Sequence, residues 1–360
     1  MSRPSITKPM ITAIVDTHNH ERFIEEAIVS VLEQDFPAAE TEIIVVDDGS
    51  TDRTLEIIRK FEPRVRVLRK ANGGQASAFN AAIPEAQGEF IAFLDGDDWW
   101  APNKLTRAME TFAQEPELGF VGHGDIFVYP DGTQQTHVLR ESVRFRANTL
   151  EGALLFRLRG AFMGTCRMTV RSHILKQILP VPETLPIQAD EYLFTLAAAL
   201  CEVRILAEPL FYYRFHDSNA FQMSSSDPRR LRRKQQVLAE LASCLDRELR
   251  ARGIDVEAVV AITERIQADA DQLRLSVDGG WPWETVKTEW KIYNVLHPDT
   301  SISHRLFKFA ILMVAFALPP RVFYGIQRKV AHSEAYAKAR KRFLPIPGMP
   351  HLEKSWRPGS

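Results

Sequence analysis

Two apolar runs that end in carboxylates constrain this chain most. Ile43-Ile44-Val45-Val46 leads into Asp47-Asp48-Gly49-Ser50, and Phe90-Ile91-Ala92-Phe93-Leu94 leads into Asp95-Gly96-Asp97-Asp98. A run of branched and aromatic residues without polar alternation reads as a strand covered on both faces, as in a parallel sheet. Carboxylates that follow at once stand at the rim of the sheet, where open α/β sheets bind ligands. Crowded there, they repel one another unless a cation or polar ligand joins them. The pattern therefore implies a site for a divalent metal and a phosphate-bearing ligand.

The rest of the first half fits an alternating α/β fold. Ile11 to Val15 is a short strand, and Glu21 to Leu32 has apolar residues at helical spacing. Ser50-Thr51-Asp52 caps a helix running to about Phe61, and Val65 to Leu68 is a third strand. Gly73-Gly74 opens an Ala-rich helix reaching about Gln87, and Pro102 starts another after the fourth strand. Such alternation predicts a mostly parallel sheet with helices on both faces. Beyond residue 116 the rhythm becomes mixed. A hairpin is expected around Pro130-Asp131-Gly132, a strand at Met168–Arg171, a helix at Ala189–Leu200 and an aromatic strand at Leu210–Phe215. From Pro228 on, charged segments with Leu/Val stripes predict helices.

The length of 360 residues allows one large domain and an appendage. The expected division is a catalytic domain over 1–225 (halves about 10–115 and 116–225), a helical extension over 226–300 and a basic tail over 301–360. Three scattered cysteines, with no CxxC pair, argue against a disulfide framework and suit a reducing cytosol. The first ten residues do not read as a signal peptide. The net charge of −1 hides an asymmetry, because residues 301–360 carry eleven Lys/Arg against two Asp/Glu. An acidic body with a basic tail calls for an anionic partner or surface.

Ile11-Thr12-Ala13-Ile14-Val15-Asp16-Thr17-His18-Asn19, the Val45–Asp52 run, Asn72-Gly73-Gly74-Gln75-Ala76-Ser77-Ala78-Phe79-Asn80 and the Gly88–Trp100 run resemble, in this order, the family 2 glycosyltransferases. The resemblance covers roughly residues 10–220. It implies the Rossmann-like GT-A fold with a C-terminal helical extension. It also implies transfer of a sugar from a nucleoside-diphosphate sugar, a UDP-sugar being favoured, with Mn²⁺ or Mg²⁺ neutralising the leaving phosphates.

The same resemblance assigns roles. Asp97 matches the metal-ligating acid of the family's Asp-x-Asp motif, and Asp95 matches its first acid, at ribose or sugar. Asp48 matches the acceptor of a hydrogen bond from the base, while Asp47 is structural. Asp16 stands where the family has Pro, and either reaches the base or ribose or caps its turn. Thr17 matches the loop pattern, and Gly74 belongs to the third motif; both count with the nucleotide site. Asp190 matches the general base, with Glu191 one residue away as the alternative. The Arg usual a few residues later is absent from Thr195-Leu196-Ala197. His216, in Tyr212-Tyr213-Arg214-Phe215-His216, matches a residue at the metal or diphosphate. A base without a covalent nucleophile implies inversion.

Two other readings compete. Asp16-Thr17-His18-Asn19-His20 also resembles the His-x-His motif of metal-dependent hydrolases, which requires an eight-unit barrel. A non-catalytic glycan-binding relative would keep the fold without the chemistry. At the tail, Phe309 to Leu318 is ten apolar residues, too short to span a bilayer. With the basic residues that follow, 303–342 fits a helix lying on an anionic membrane, or else packs on protein, a second copy included. Nucleic acid is not expected, since no aromatics for base stacking are interleaved. The whole implies an enzyme on the cytoplasmic face of a membrane, adding sugar to a glycan or lipid-linked acceptor of the envelope.

Overall fold

A computed structural model describes residues 9–139, 141–158, 164–216, 227–296 and 300–331. The first half alternates as expected: β1 (Ile11–Thr17), α1 (Ile24–Leu32), β2 (Thr41–Asp47), α2 (Thr54–Arg59), β3 (Arg66–Arg69), α3 (Gly74–Ala82) and β4 (Phe90–Asp95). The four strands are parallel in the order β3-β2-β1-β4. β1, β2 and β4 are buried along almost their whole length because helices cover both faces. Ile11, Ala13 and Val15 pack with Ile24, Ala27, Ile28 and Val31 of α1, while the intervening Ile14 is also fully buried. Asp52 caps α2 through the amide of Thr54 (3.0 Å). α3 stops at Ala82, short of Gln87, where Pro84 in the following turn has no N–H to continue the ladder.

The second half continues the sheet with β5 (Trp99–Trp100), α4 (Lys104–Gln114), β6 (Leu118–Val128), β7 (Gln134–His137), β8 (Val143–Phe145), α5 (Leu150–Leu158), β9 (Met168–Arg171), α6 (Ser172–Ile178), α7 (Ala189–Leu200) and β10 (Glu202–Arg214). The full order is β3-β2-β1-β4-β9-β6-β10-β5, with β7 on β6 and β8 on β10. The sheet is parallel through its first half and mixed beyond it: β9 runs antiparallel to both β4 and β6. β6 and β7 form the expected hairpin. β10 begins at Glu202, earlier than the aromatic run suggests, because alternating buried and half-buried residues from Val203 onward pair with β6. This open order leaves no place for an eight-unit barrel, which removes the hydrolase fold.

Residues 9–148 and 155–216 make one compact unit; residues 149–154, 227–296 and 300–331 belong to a second. In the second, α8 (Pro228–Ala251) and α9 (Val256–Asp278) pair through stripes including Leu238, Leu241, Leu245 and Val259, Ile262, Ile266. Asp227 and Asp255 cap them. α10 (Trp283–Leu296), α11 (Ile302–Ala317) and α12 (Pro320–Ala331) share a small core of Leu275, Val286, Leu312, Ala315, Phe323 and Tyr324. Among the described residues, no helix is long and apolar enough to cross a membrane. Of the expected membrane-facing segment, 332–342 lie outside the described residues.

Ile14→Ala removes a fully buried side chain from the central strand. A loss of about 2–5 kcal/mol is expected, read as a lower urea midpoint at unchanged slope.

Candidate active site

The register of β1 and β4 sets Asp16 beside Asp95 at the rim. The turn that follows β4 is tight: a Cβ on Gly96 would lie 2.5 Å from Thr17 Oγ1, so only glycine lets the acidic turn close against β1. Asp95, Asp97, Asp98 and Asp16 thereby share one small volume. Burial, then Asp95 and Asp97, pushes Asp16 well above the ordinary carboxylate range. Its Oδ1 is buried with no hydrogen-bond partner among the described residues. Burial raises Asp95 to about 7, aided by Asp97 and Asp190. Asp98 is raised by burial, then by Asp97 and Asp95.

Asp97 goes the other way. Burial opposes its charge, but His216 Nε2, 2.9 Å from Asp97 Oδ2, and His20, whose Nε2 lies 3.8 Å from that oxygen, outweigh it and leave Asp97 lowered. The strap that brings His216 there is Arg214. Its amide donates to Asp98 Oδ1 (2.7 Å), its Nε donates to the Asp97 carbonyl (2.9 Å), and its guanidinium pairs with Glu26 and lies over Trp99 and Phe23.

Thr165 and Cys166 adjoin Asp95 on this rim, and Asp190 of α7 is near enough to act on it. Thr165 Oγ1 donates to Asp95 Oδ1 (3.2 Å), and the Asp95 amide donates to Cys166 Sγ (3.1 Å). Asp190 and Glu191 lie in the first turn of α7, which starts after Gln188 in a left-handed conformation. Burial raises Asp190 to about 7, against the Glu191 amide on its Oδ1 (2.8 Å). Glu191 is 5% exposed, so its side chain is turned into the protein.

The nucleotide-side residues are knit through α3. Asp48 accepts from Lys70 Nζ (2.6 Å), the Gly73 amide (3.0 Å) and the Gly74 amide (2.7 Å), so its carboxylate caps the N-terminus of α3. Gly74 has φ +80°, and a Cβ there would sit 2.9 Å from the Pro186 carbonyl, which accounts for the glycine. Asp47 accepts from the Ser50 amide (3.0 Å). Thr17 is buried, 3.2 Å from His20 Nδ1. His18 turns instead to the Asp48 carbonyl (2.9 Å) and to Asn72. The two histidines of the His-x-His motif thus serve different neighbours.

Asp95, Asp98 and Cys166 each offer an atom within 4.8 Å of the others. Cys166 is a poor ligand for a hard cation, because burial, then Asp95 and Asp98, raises its thiol and keeps it protonated. Asp97 Oδ2 and His216 Nε2, 2.9 Å apart, lie on the same rim as Asp95. The unpartnered Asp16 oxygen and the displaced titrations fit a rim arranged for an added positive charge. Nothing in the sequence marks Thr165 or Cys166 as site residues, whereas His20 completes the His-x-His motif. Arg214, beside the matched His216, is expected to support it.

The sequence pattern that describes glycosyl transferase family 2 matches residues 12–177. An uncharacterized glycosyltransferase of Nostoc sp. is 31% identical over 240 residues, 65% of this chain and 73% of the relative. A poly(ribitol-phosphate) beta-N-acetylglucosaminyltransferase, TarS of Staphylococcus aureus, is 32% identical over 209 residues, 56% of this chain but 35% of the relative's length. The crystal structure of S. aureus TarS 1–349 in complex with UDP-GlcNAc superposes with a TM-score of 0.58 at 21% identity. The match covers 91% of this chain and 92% of that one, and it shows a shared fold.

Asp190→Asn tests the electrostatics without ligand. An Asp ionises near 3.9 when unfolded, so a folded value of about 7 means that stability falls as pH rises between them. Asn removes that penalty. The variant is expected to melt higher than the wild type at pH 8, and the gain should vanish near pH 4.

Proposed function

The chain belongs to glycosyl transferase family 2, and on that basis we propose that it transfers a sugar from a UDP-sugar, with inversion, to a glycan or lipid-linked acceptor of the cell envelope. The observation that carries the reading is the contrast between two carboxylate environments. Asp97 is lowered and paired with His216, whereas Asp190 is raised to about 7. Asp97, Asp95 and His216 would hold Mn²⁺ or Mg²⁺. When bound, that cation supplies the positive charge that stabilises the departing diphosphate.

The chain's own groups perform the remaining tasks. Asp190 takes the proton of the acceptor hydroxyl as that oxygen bonds to the anomeric carbon. The bond from that carbon to the β-phosphate oxygen breaks, and UDP leaves with the electron pair. A base ionising near neutrality suits this task, because it is both deprotonated and basic enough. Glu191, turned inward, is the weaker candidate. Asp16 and Asp95 face the ribose and sugar. Asp48 fixes Gly73-Gly74 next to the base, and Thr17 holds the loop. The acceptor class is supported by the name of the Staphylococcus relative, which acts on poly(ribitol-phosphate).

The second unit supports a place at the cytoplasmic face of an anionic membrane. α11 turns Ile302, Leu306, Phe307 and Val314 outward, at 77%, 63%, 64% and 41% exposure, and Trp281 and Trp283 stand beside its Phe316. Residues 300–331 hold five Lys/Arg and no Asp/Glu. An apolar face in a wholly basic segment, flanked by tryptophans, suits the interface between headgroups and acyl chains.

Three measurements check these readings. Calorimetry should show UDP binding that needs Mn²⁺ or Mg²⁺ and is lost in Asp97→Asn. Asp190→Asn should keep UDP binding while transfer slows by about 10²–10⁴-fold. Failure of the wild type to bind UDP or GDP with any divalent ion sinks the transferase reading in favour of a non-catalytic relative. In vesicle flotation, the protein should float with phosphatidylglycerol vesicles, and the double substitution Leu306→Glu, Phe307→Glu should abolish this. Equal flotation of the double variant, or a salt-resistant dimer in place of flotation, would refute the membrane contact.

A further inference from the structure

Lys104, the first residue of α4, is fully buried at 0% exposure. Its Nζ meets three acceptors: the Cys166 carbonyl (2.8 Å), the Phe93 carbonyl (3.4 Å) and the indole face of Trp100, 3.8 Å from the ring centroid. Three acceptors match the three N–H groups of an ammonium. A neutral amine would have to point its lone pair at an oxygen or a π face. Burial pushes the Lys104 amine well below the ordinary lysine range, and Asp95 offsets this only in part, so it is the three-acceptor geometry that argues for the charged form. Among the described residues no carboxylate pairs with Lys104, so backbone carbonyls and the indole face are what receive its N–H groups.

The place of the lysine explains its burial. The β4–β9 ladder ends at Ala92 and Thr169. One residue on, the Phe93 carbonyl accepts instead from Trp100 Nε1 (3.2 Å) and Lys104 Nζ. The turn Thr165–Arg167 leads into β9, and Lys104 reaches it through the Cys166 carbonyl. The ammonium therefore bridges the gap where the two strands diverge. That turn in turn holds Asp95, through Thr165 Oγ1 and Cys166 Sγ.

We propose that Lys104 is a positioning residue of the donor site: its buried ammonium locks the turn Thr165–Arg167 to β4 and so fixes Asp95 at the rim. The proposal rests on the reading of that rim as a UDP-sugar site. A lysine serving only as packing would make the same apolar contacts without its charge being needed.

The wild-type protein gives the first test. NMR of ¹⁵N-ε-lysine protein should show a slowly exchanging buried ammonium whose signal shifts on adding Mg²⁺ and UDP. An amine signal, or one indifferent to bound Mg²⁺·UDP, overturns the proposal and needs no variant to fold. Lys104→Met and Lys104→Ala should bind Mg²⁺·UDP at least about tenfold more weakly while still folded. Propylammonium should restore part of the affinity of Lys104→Ala, and 1-propanol should not. UDP affinity in folded Lys104→Met within about twofold of the wild type would overturn the proposal, as would equal rescue by propanol. Absence of UDP binding by the wild type is a separate result, which refutes the donor-site reading itself.

Discussion

Mutual repulsion among carboxylates governs this molecule. Asp16, Asp95, Asp97 and Asp98 are forced together by the parallel register of β1 and β4 and by a turn that closes only over glycine. Burial strengthens the repulsion by removing the water that would screen it. The surrounding structure answers with positive or donating groups from distant parts of the chain. Arg214 and His216 come from the end of β10, His20 from the loop after β1, and Thr165 from the turn before β9. The protein thus holds a strained charge distribution that a cation and a diphosphate ligand would complete.

The chain also separates two acids of the same type by their surroundings. Asp97 is lowered by imidazoles, whereas Asp190 is raised by burial at the start of α7. Neither difference is encoded in the residue itself. On the proposed reading, one carboxylate would stay charged beside a metal and the other would accept a proton near neutrality.

What the sequence made legible follows from range. The runs Ile43–Val46 and Phe90–Leu94 specify buried parallel strands by local pattern alone, and both form as read. The rim acids follow because they are adjacent to those runs. Interactions that join residues many tens apart left no local trace. Asp48 and Gly74 were singled out separately, yet the hydrogen bond between them, which makes Asp48 a helix cap, depends on the fold. His20 looked like half of a His-x-His pair, but the loop turns its ring and that of His18 to different neighbours. Pro84 ended α3 earlier than its alanine-rich composition suggested, a case in which a local signal was present but outweighed in the reading.

The insertion of β9 between β4 and β6 has a mechanical consequence. The strand comes from residues 116–225 of the sequence yet hydrogen-bonds directly to β4, within residues 10–115. Swinging the halves apart as hinged bodies would tear that ladder and strip the cover from β4. The two stretches are therefore joined by a continuous seam of backbone hydrogen bonds. Severing the halves would leave β4 as an open edge ready to pair with other chains.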